Sequence, residues 1–276
     1  MKNTLSLYKD FYKQNNIADK FVMPEKKTLE WSDVYPFMYF HAAFEGLRES
    51  RLIRHLVIDE MQDYTPVQYA VMNVLFKCRK TILGDFGQFI NPNHLYTLAD
   101  LRRLYEGAEY VELNKSYRST YEIITFAKGI RNVASLEAVE RHGDAPDLIY
   151  CRSGREELNV IKKKIGAFQN SGYATLGIIL KTNSAAKALY DVLSRKYKAH
   201  LISPESAAFA NGVSITSVQM SKGLEFDQVI IPAANNENYS SEYDRSLLYI
   251  ACTRAMHRLS LTHTGELTRL IDAYDS

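Results

Sequence analysis

His55-Leu-Val-Ile-Asp-Glu-Met-Gln-Asp63 decides how this chain is read, because nucleotide-hydrolysing sheets present a metal ligand and a base as two adjacent acids ending an apolar strand. Leu56, Val57 and Ile58 form the expected buried strand, so Asp59 and Glu60 emerge together at its carboxyl end. In open α/β sheets ligands bind at that edge. An Asp there holds Mg²⁺, directly or through water, and the next Glu takes a proton from an attacking water. The competing reading is a strand closed by a solvated acidic turn.

Outward from this stretch, strand-like apolar runs recur at residues 80–83, 110–113, 148–151, 175–180, 199–202, 213–218, 228–231 and 259–262. Between them, residues 66–76, 120–131, 156–170, 184–196 and 242–256 carry apolar side chains at helical spacing, and 31–44 reads as a further helix. Such alternation predicts an α/β chain with parallel sheets and covering helices. A division into two α/β units falls near residues 113–120 or shortly after. With 276 residues, 46% of them apolar, the chain can bury a sizeable core. Its formal charge of +2 marks no nucleic-acid partner by itself. Cys78, Cys151 and Cys252 are widely spaced with no Cys-x-x-Cys, which argues against a disulfide framework or zinc module and fits a reducing cytoplasm. No signal peptide or membrane span is read, so a cytoplasmic location is expected.

Four more segments add to the acids. Ile82-Leu-Gly-Asp-Phe-Gly-Gln88 is a second strand with a polar turn, where the Gln88 amide can bond a terminal phosphate or orient a water. In Leu113-Asn-Lys-Ser-Tyr-Arg-Ser-Thr120, Ser119 or Thr120 is a good helix cap, Arg118 a candidate phosphate clamp and Tyr117 a candidate base-stacking ring. Residues 213–226 read as a strand that turns through Gly223 into another apolar run. Residues 247–258 read as a helix whose apolar face carries Arg254, either complementing the helix dipole or pointing across a cleft at developing phosphate charge.

Taken in this order, the segments resemble superfamily 1 helicases of the UvrD/Rep type, closest to the HelD-type branch that associates with bacterial RNA polymerase. The resemblance runs over residues 31–262, with residues 57–64, 83–88, 113–120, 214–226 and 247–256 standing where the family has motifs II to VI. It implies two RecA-like parallel-sheet units of the P-loop NTPase helicase fold, the first incomplete, over residues 1–115 and 116–276. It also implies Asp59 for Mg²⁺, Glu60 as catalytic base, Gln88 as γ-phosphate and water sensor, Tyr117 at the adenine and Arg118 on the γ-phosphate. Glu225 would lie at the ribose, Arg254 would be the arginine finger, and Ser217 would lie along the single-strand track. ATP and Mg²⁺ are the implied cofactors; DNA and RNA polymerase are the implied partners. The sequence departs from the family at Gln219-Met220-Ser221, where His-Ser-Ala is usual, and at Phe86-Gly87 and Phe89 in the third motif.

One family feature is missing. None of the thirteen glycines is followed by Lys, so no Gly-x-x-x-x-Gly-Lys-Ser/Thr phosphate loop can be placed. The expectation is the C-terminal portion of a larger helicase, without appreciable ATPase activity alone and partnered by its N-terminal part. A non-catalytic module binding DNA or RNA polymerase is the alternative function. A nuclease built on Asp59, Glu60 and Asp63 is a third.

Overall fold

The computed structural model describes residues 3–25, 28–85, 88, 97–131, 137–204, 206 and 211–271. The chain divides into two units, Met1–Ala108 and Glu109–Ser276.

In the first unit, α1 (Thr4–Gln14) and α2 (Trp31–Phe44) precede β1 (His55–Ile58), α3 (Pro66–Leu75), β2 (Arg79–Ile82) and α4 (Leu98–Leu104). Parallel strands need a crossover, and α3 supplies it between β1 and β2. Its start is set locally: Thr65 and Gln68 form a capping box, and Pro66 occupies the first turn, where its missing N–H costs nothing. Ile58, Tyr69 and Leu101 are buried together, with Leu56, Met61 and Ile82 packed against them. The strand was expected to be buried throughout, but Val57 is 60% exposed. Among the described residues this sheet has two strands and β1 follows the pleat, so only the side bearing Ile58 meets the core.

The second unit begins with β3 (Lys115–Ser116), α5 (Tyr121–Ile130) and β4 (Glu137–Ala138). Then follow β5 (Asp147–Cys151), α6 (Gly154–Gln169), β6 (Thr175–Leu180), α7 (Asn183–Leu193), β7 (Ala199–Leu201) and β8 (Gly212–Ser217). The unit ends with α8 (Val218–Ser221), β9 (Phe226–Ile231), α9 (Glu242–Cys252) and β10 (Ala255–Thr264). Six of these strands form one parallel sheet in the order β5-β10-β9-β6-β8-β7. Every residue of β6 is buried, as a central parallel strand requires. Ile161, Ile165 and Phe168 of α6 and Ala186 and Leu193 of α7 share one cluster with Ile178, Ile215 and Ile230 of the sheet. A Cβ on Gly177 would meet the Phe226 ring at 2.7 Å, so the absent side chain lets that ring lie on the strand.

Three expectations need correction. Residues 110–113 form no strand: Val111 and Leu113 are 69% and 87% exposed, and pairing starts only at Lys115, which lies opposite Glu137. An apolar run without a ladder partner gains nothing from being extended. The last helix stops at Cys252 rather than running to Met256, because Ala255 already pairs with Phe226 of β9. Val218 opens α8 instead of ending β8, since Ser217 caps that helix by accepting from the Met220 N–H at 3.3 Å.

One ion pair closes the carboxyl end of β6 onto α9. Lys181 Nζ lies 2.6 Å from Asp244 Oδ1, 5.6 Å from the Tyr239 ring centre, and also donates to the Asn238 carbonyl. Asp244 Oδ2 accepts from the Ser240 and Ser241 N–H groups, each at 3.1 Å. Burial pushes the Asp244 carboxyl up, but the Lys181 ammonium and these N–H groups outweigh it and hold it below the usual carboxylate range. A depressed carboxylate stabilises the fold above its ordinary titration range, and that contribution disappears as pH falls through the lowered value. Lys181→Met is therefore expected to destabilise the second unit by about 2 kcal/mol at neutral pH, the part-exposed lysine keeping it under the full buried-pair cost. The deficit should shrink in acid. Urea denaturation at several pH values measures both effects.

Candidate nucleotide and nucleic-acid site

The acids stand at the carboxyl end of β1. Leu83 N donates to Ile58 O at 2.7 Å and Met61 N to Leu83 O at 2.8 Å, which ties the ends of β1 and β2 together. Glu60 sits in the left-handed region, φ 51° and ψ 48°, a conformation costing a non-glycine residue about 1–2 kcal/mol. Its N–H donates to the exposed Asp59 carboxylate at 2.8 Å.

Gln62, to which the sequence assigned no role, is wholly buried. Its Nε2 donates to Glu60 Oε2 at 2.6 Å and its Oε1 accepts from Asp85 N at 3.1 Å. Gly84 makes room for this: a Cβ there would collide with Gln62 Oε1 and lie 2.7 Å from Met61 N. Gln88 donates to Asp85 Oδ2 at 2.9 Å, so it joins the same turn. Residues 86–87 and 89, where the third motif departs from its family, lie outside the described residues. The signal that could have found Gln62 is its place two residues after the acid pair, facing a glycine of the next strand's turn.

A lone carboxylate such as Asp59 fits Mg²⁺, which is held by one or two carboxylates together with water and substrate phosphates. Among the described residues no three His, Cys, Asp or Glu side chains converge as a metal site, so the nuclease reading of Asp59, Glu60 and Asp63 gains no support.

In the second unit the structure brings Arg118, Glu225 and Arg254 around one turn. Arg118 Nε lies 2.6 Å from Glu225 Oε1, both side chains part-exposed. Ser119 Oγ donates to Ala255 O at 2.6 Å and so anchors the Arg118 segment to the residue after Arg254. Thr120 holds the cap position of α5, but its side chain makes no cap bond, and its buried hydroxyl finds no partner among the described residues. A Cβ on Gly143 would meet Thr120 Cγ2 at 2.6 Å, which shows how closely the neighbouring loop covers it. Tyr117 is 70% exposed and available for stacking.

Arg254 differs from its expected setting on a helix face. It lies in the turn between α9 and β10 and is 2% exposed. Its Nε donates to Ile250 O at 3.2 Å, Nη1 to Leu224 O at 3.3 Å and Nη2 to Thr253 Oγ1 at 3.3 Å. Its own carbonyl accepts from Phe226 N at 2.9 Å. The guanidinium thus braces the turn that carries Glu225.

Ser217 is also buried, and its hydroxyl donates to Asn183 Oδ1 at 2.5 Å. Thr182, Asn183 and Gln219 are exposed at this carboxyl edge of the sheet.

A sequence profile of the UvrD-like helicase C-terminal domain matches residues 212–262, from β8 into β10. The chain carries a UvrD-like helicase C-terminal domain. Ser217, Glu225 and Arg254 fall inside the matched segment; Asp59, Glu60, Gln88, Tyr117 and Arg118 lie before it. YjcD of Bacillus subtilis strain 168, named among the ATP-dependent DNA helicases, is 29% identical over 155 residues, covering 50% of this chain and 20% of that protein. The ATP-dependent DNA helicase PcrA of Leuconostoc citreum is 24% identical over 160 residues, covering 53% and 21%. The chain therefore spans about a fifth of the length of these curated relatives. A solved structure, the C-terminal domain of a possible DNA helicase from Lactobacillus plantarum WCFS1, is 35% identical with a TM-score of 0.49, over 57% of this chain and 92% of that one. Among the described residues no helix of this UvrD-like chain is long and apolar enough to cross a membrane.

Proposed function

We propose that this chain supplies the later part of an ATP-driven DNA translocase, with the first unit as the end of one RecA-like domain and the second unit as the next. The observation that carries the reading is the meeting of Arg118, Glu225 and Arg254, distant in sequence, around a single turn of a UvrD-like domain. In this reading ATP is the substrate. Glu60 accepts the proton of the attacking water, Gln88 orients that water and Tyr117 stacks on the adenine. Arg118 and Arg254 meet phosphate charge, and Glu225 holds the ribose while keeping Arg118 in place between turnovers. Mg²⁺, held by Asp59, would neutralise phosphate charge when bound.

DNA is the proposed partner, tracked by the sheet edge at Thr182, Asn183 and Gln219, with Ser217 setting the position of Asn183 rather than touching the strand. Titrating a labelled single-stranded oligonucleotide with the chain, followed by fluorescence anisotropy, tests this. Affinity should fall as salt rises. The double variant Asn183→Asp, Gln219→Glu preserves an acceptor for Ser217 but sets two carboxylates against phosphates, so binding is expected to weaken about tenfold. Unchanged binding would remove DNA from this edge.

A further inference from the structure

We propose that Gln62 is a positioning residue that couples the Glu60 carboxylate to the turn after β2, so that the acid and the Gln88 end of that turn move as one hydrogen-bonded unit. The proposal deepens the reading above and rests on it for the role of Glu60 as base.

Both ends of the Gln62 amide are used, and their order is fixed by chemistry. Nε2 faces a carboxylate oxygen, an acceptor, and Oε1 faces the Asp85 N–H, a donor. Flipping the amide would set donor against donor and acceptor against acceptor, so only one orientation satisfies a fully buried side chain. The path continues without a break: Asp85 accepts the Gln88 side chain at Oδ2 and the Gln88 N–H at its carbonyl, at 2.9 and 3.0 Å. Gly84 admits the Gln62 amide to this position, and the strained backbone of Glu60 is a conformation that persists only where its surroundings over-determine it. When the partner of Gln88 changes, the Asp85 N–H moves and Gln62 carries the displacement to the base. Misplacing a base by about 1 Å can slow a reaction about 100-fold, so small movements along this path matter.

NMR of the whole chain at one neutral pH tests the coupling without any hydrolysis, as a double-mutant cycle. Glu60→Gln should displace the Gln62 side-chain amide, the backbone amide of Asp85 and the Gln88 side-chain amide. In a Gln62→Leu background the same change at Glu60 should leave the amides of Asp85 and Gln88 in place. An equal displacement of the Asp85 amide in both backgrounds, or none in either, overturns the proposal. If Gln62→Leu does not fold, Gln62→Met, which keeps the volume and removes both bonds, takes its place. Failure of Glu60 as base would instead show in ATP turnover once the chain is joined to a phosphate-binding loop and leave these displacements unchanged, so the two failures are distinguishable.

Discussion

ATP hydrolysis by this chain alone is expected to stay at background, and to appear once the chain is joined in one polypeptide to a segment bearing a phosphate-binding loop. The physical reason is the division of labour around a triphosphate. Backbone amides of a glycine-rich loop and its lysine cradle the phosphates, and no Gly-Lys pair exists in this sequence. Asp59 and Glu60 are acids, which repel phosphate in the absence of that cradle and a cation. Arg118 and Arg254 offer positive charge, but one is paired with Glu225 and the other is engaged by backbone carbonyls. In the joined protein, Glu60→Gln should lower turnover by about 10²–10⁴-fold, the usual worth of a general base, while nucleotide binding persists. Phosphate release measured with and without single-stranded DNA gives the answer. Hydrolysis by the chain alone that Glu60→Gln abolishes would show that another cradle exists. An unchanged rate in the joined Glu60→Gln protein would remove Glu60 as the base, and background turnover in the joined wild-type protein would favour the alternative of a binding module that keeps the fold without the chemistry.

The α/β class and most strands of the second unit were legible because their apolar runs are rich in β-branched residues and bounded by Gly, Asp, Asn or Pro. Residues 175–180 coincide with β6 for that reason: a central parallel strand is apolar on both faces and has no pleat alternation to misread. The misplaced elements share a different cause. Residues 110–113 carry strand-like composition, but pairing is a property of two segments, and their partner is not encoded within them. Residues 253–256 continue the helical spacing of α9, and only the ladder to Phe226 ends the helix. The site shows the same limit. Motif order named Glu60, Arg118 and Glu225, and the Arg118–Glu225 pair was reachable because both lie in segments read together. Gln62 was not, since its function lies in a contact with the amide of residue 85, 23 positions along the chain. The burial of Ser217 and Arg254 was equally hidden, because polar side chains are read as surface until the carbonyls that receive them are known.

The two arginines should separate under mutation. Arg254→Ala removes a donor from Ile250 O, which keeps the Thr253 hydroxyl at 2.9 Å, and one from Leu224 O in a buried turn, and a buried acceptor left without a partner costs about 1–3 kcal/mol. A loss of about 1–3 kcal/mol is expected from the second unit, a large share of the stability of an ordinary domain. Arg254→Lys should recover little of it, because a single ammonium cannot span the two carbonyls and the Thr253 hydroxyl that a planar guanidinium reaches from three nitrogens. Arg118→Ala removes a part-exposed pair and should change stability by no more than about 0.5 kcal/mol. Urea denaturation of the chain followed by circular dichroism makes this comparison, and wild-type stability in Arg254→Ala would show that the guanidinium does not hold the turn. In the joined protein both variants should lose turnover, yet for different reasons: Arg118 through charge at the phosphate, Arg254 also through the turn that presents Glu225. A group that braces this turn at rest and is drawn toward phosphate on binding would loosen Leu224 and shift Glu225 as it moves. Nucleotide occupancy and the fold of that turn would then be linked through one side chain.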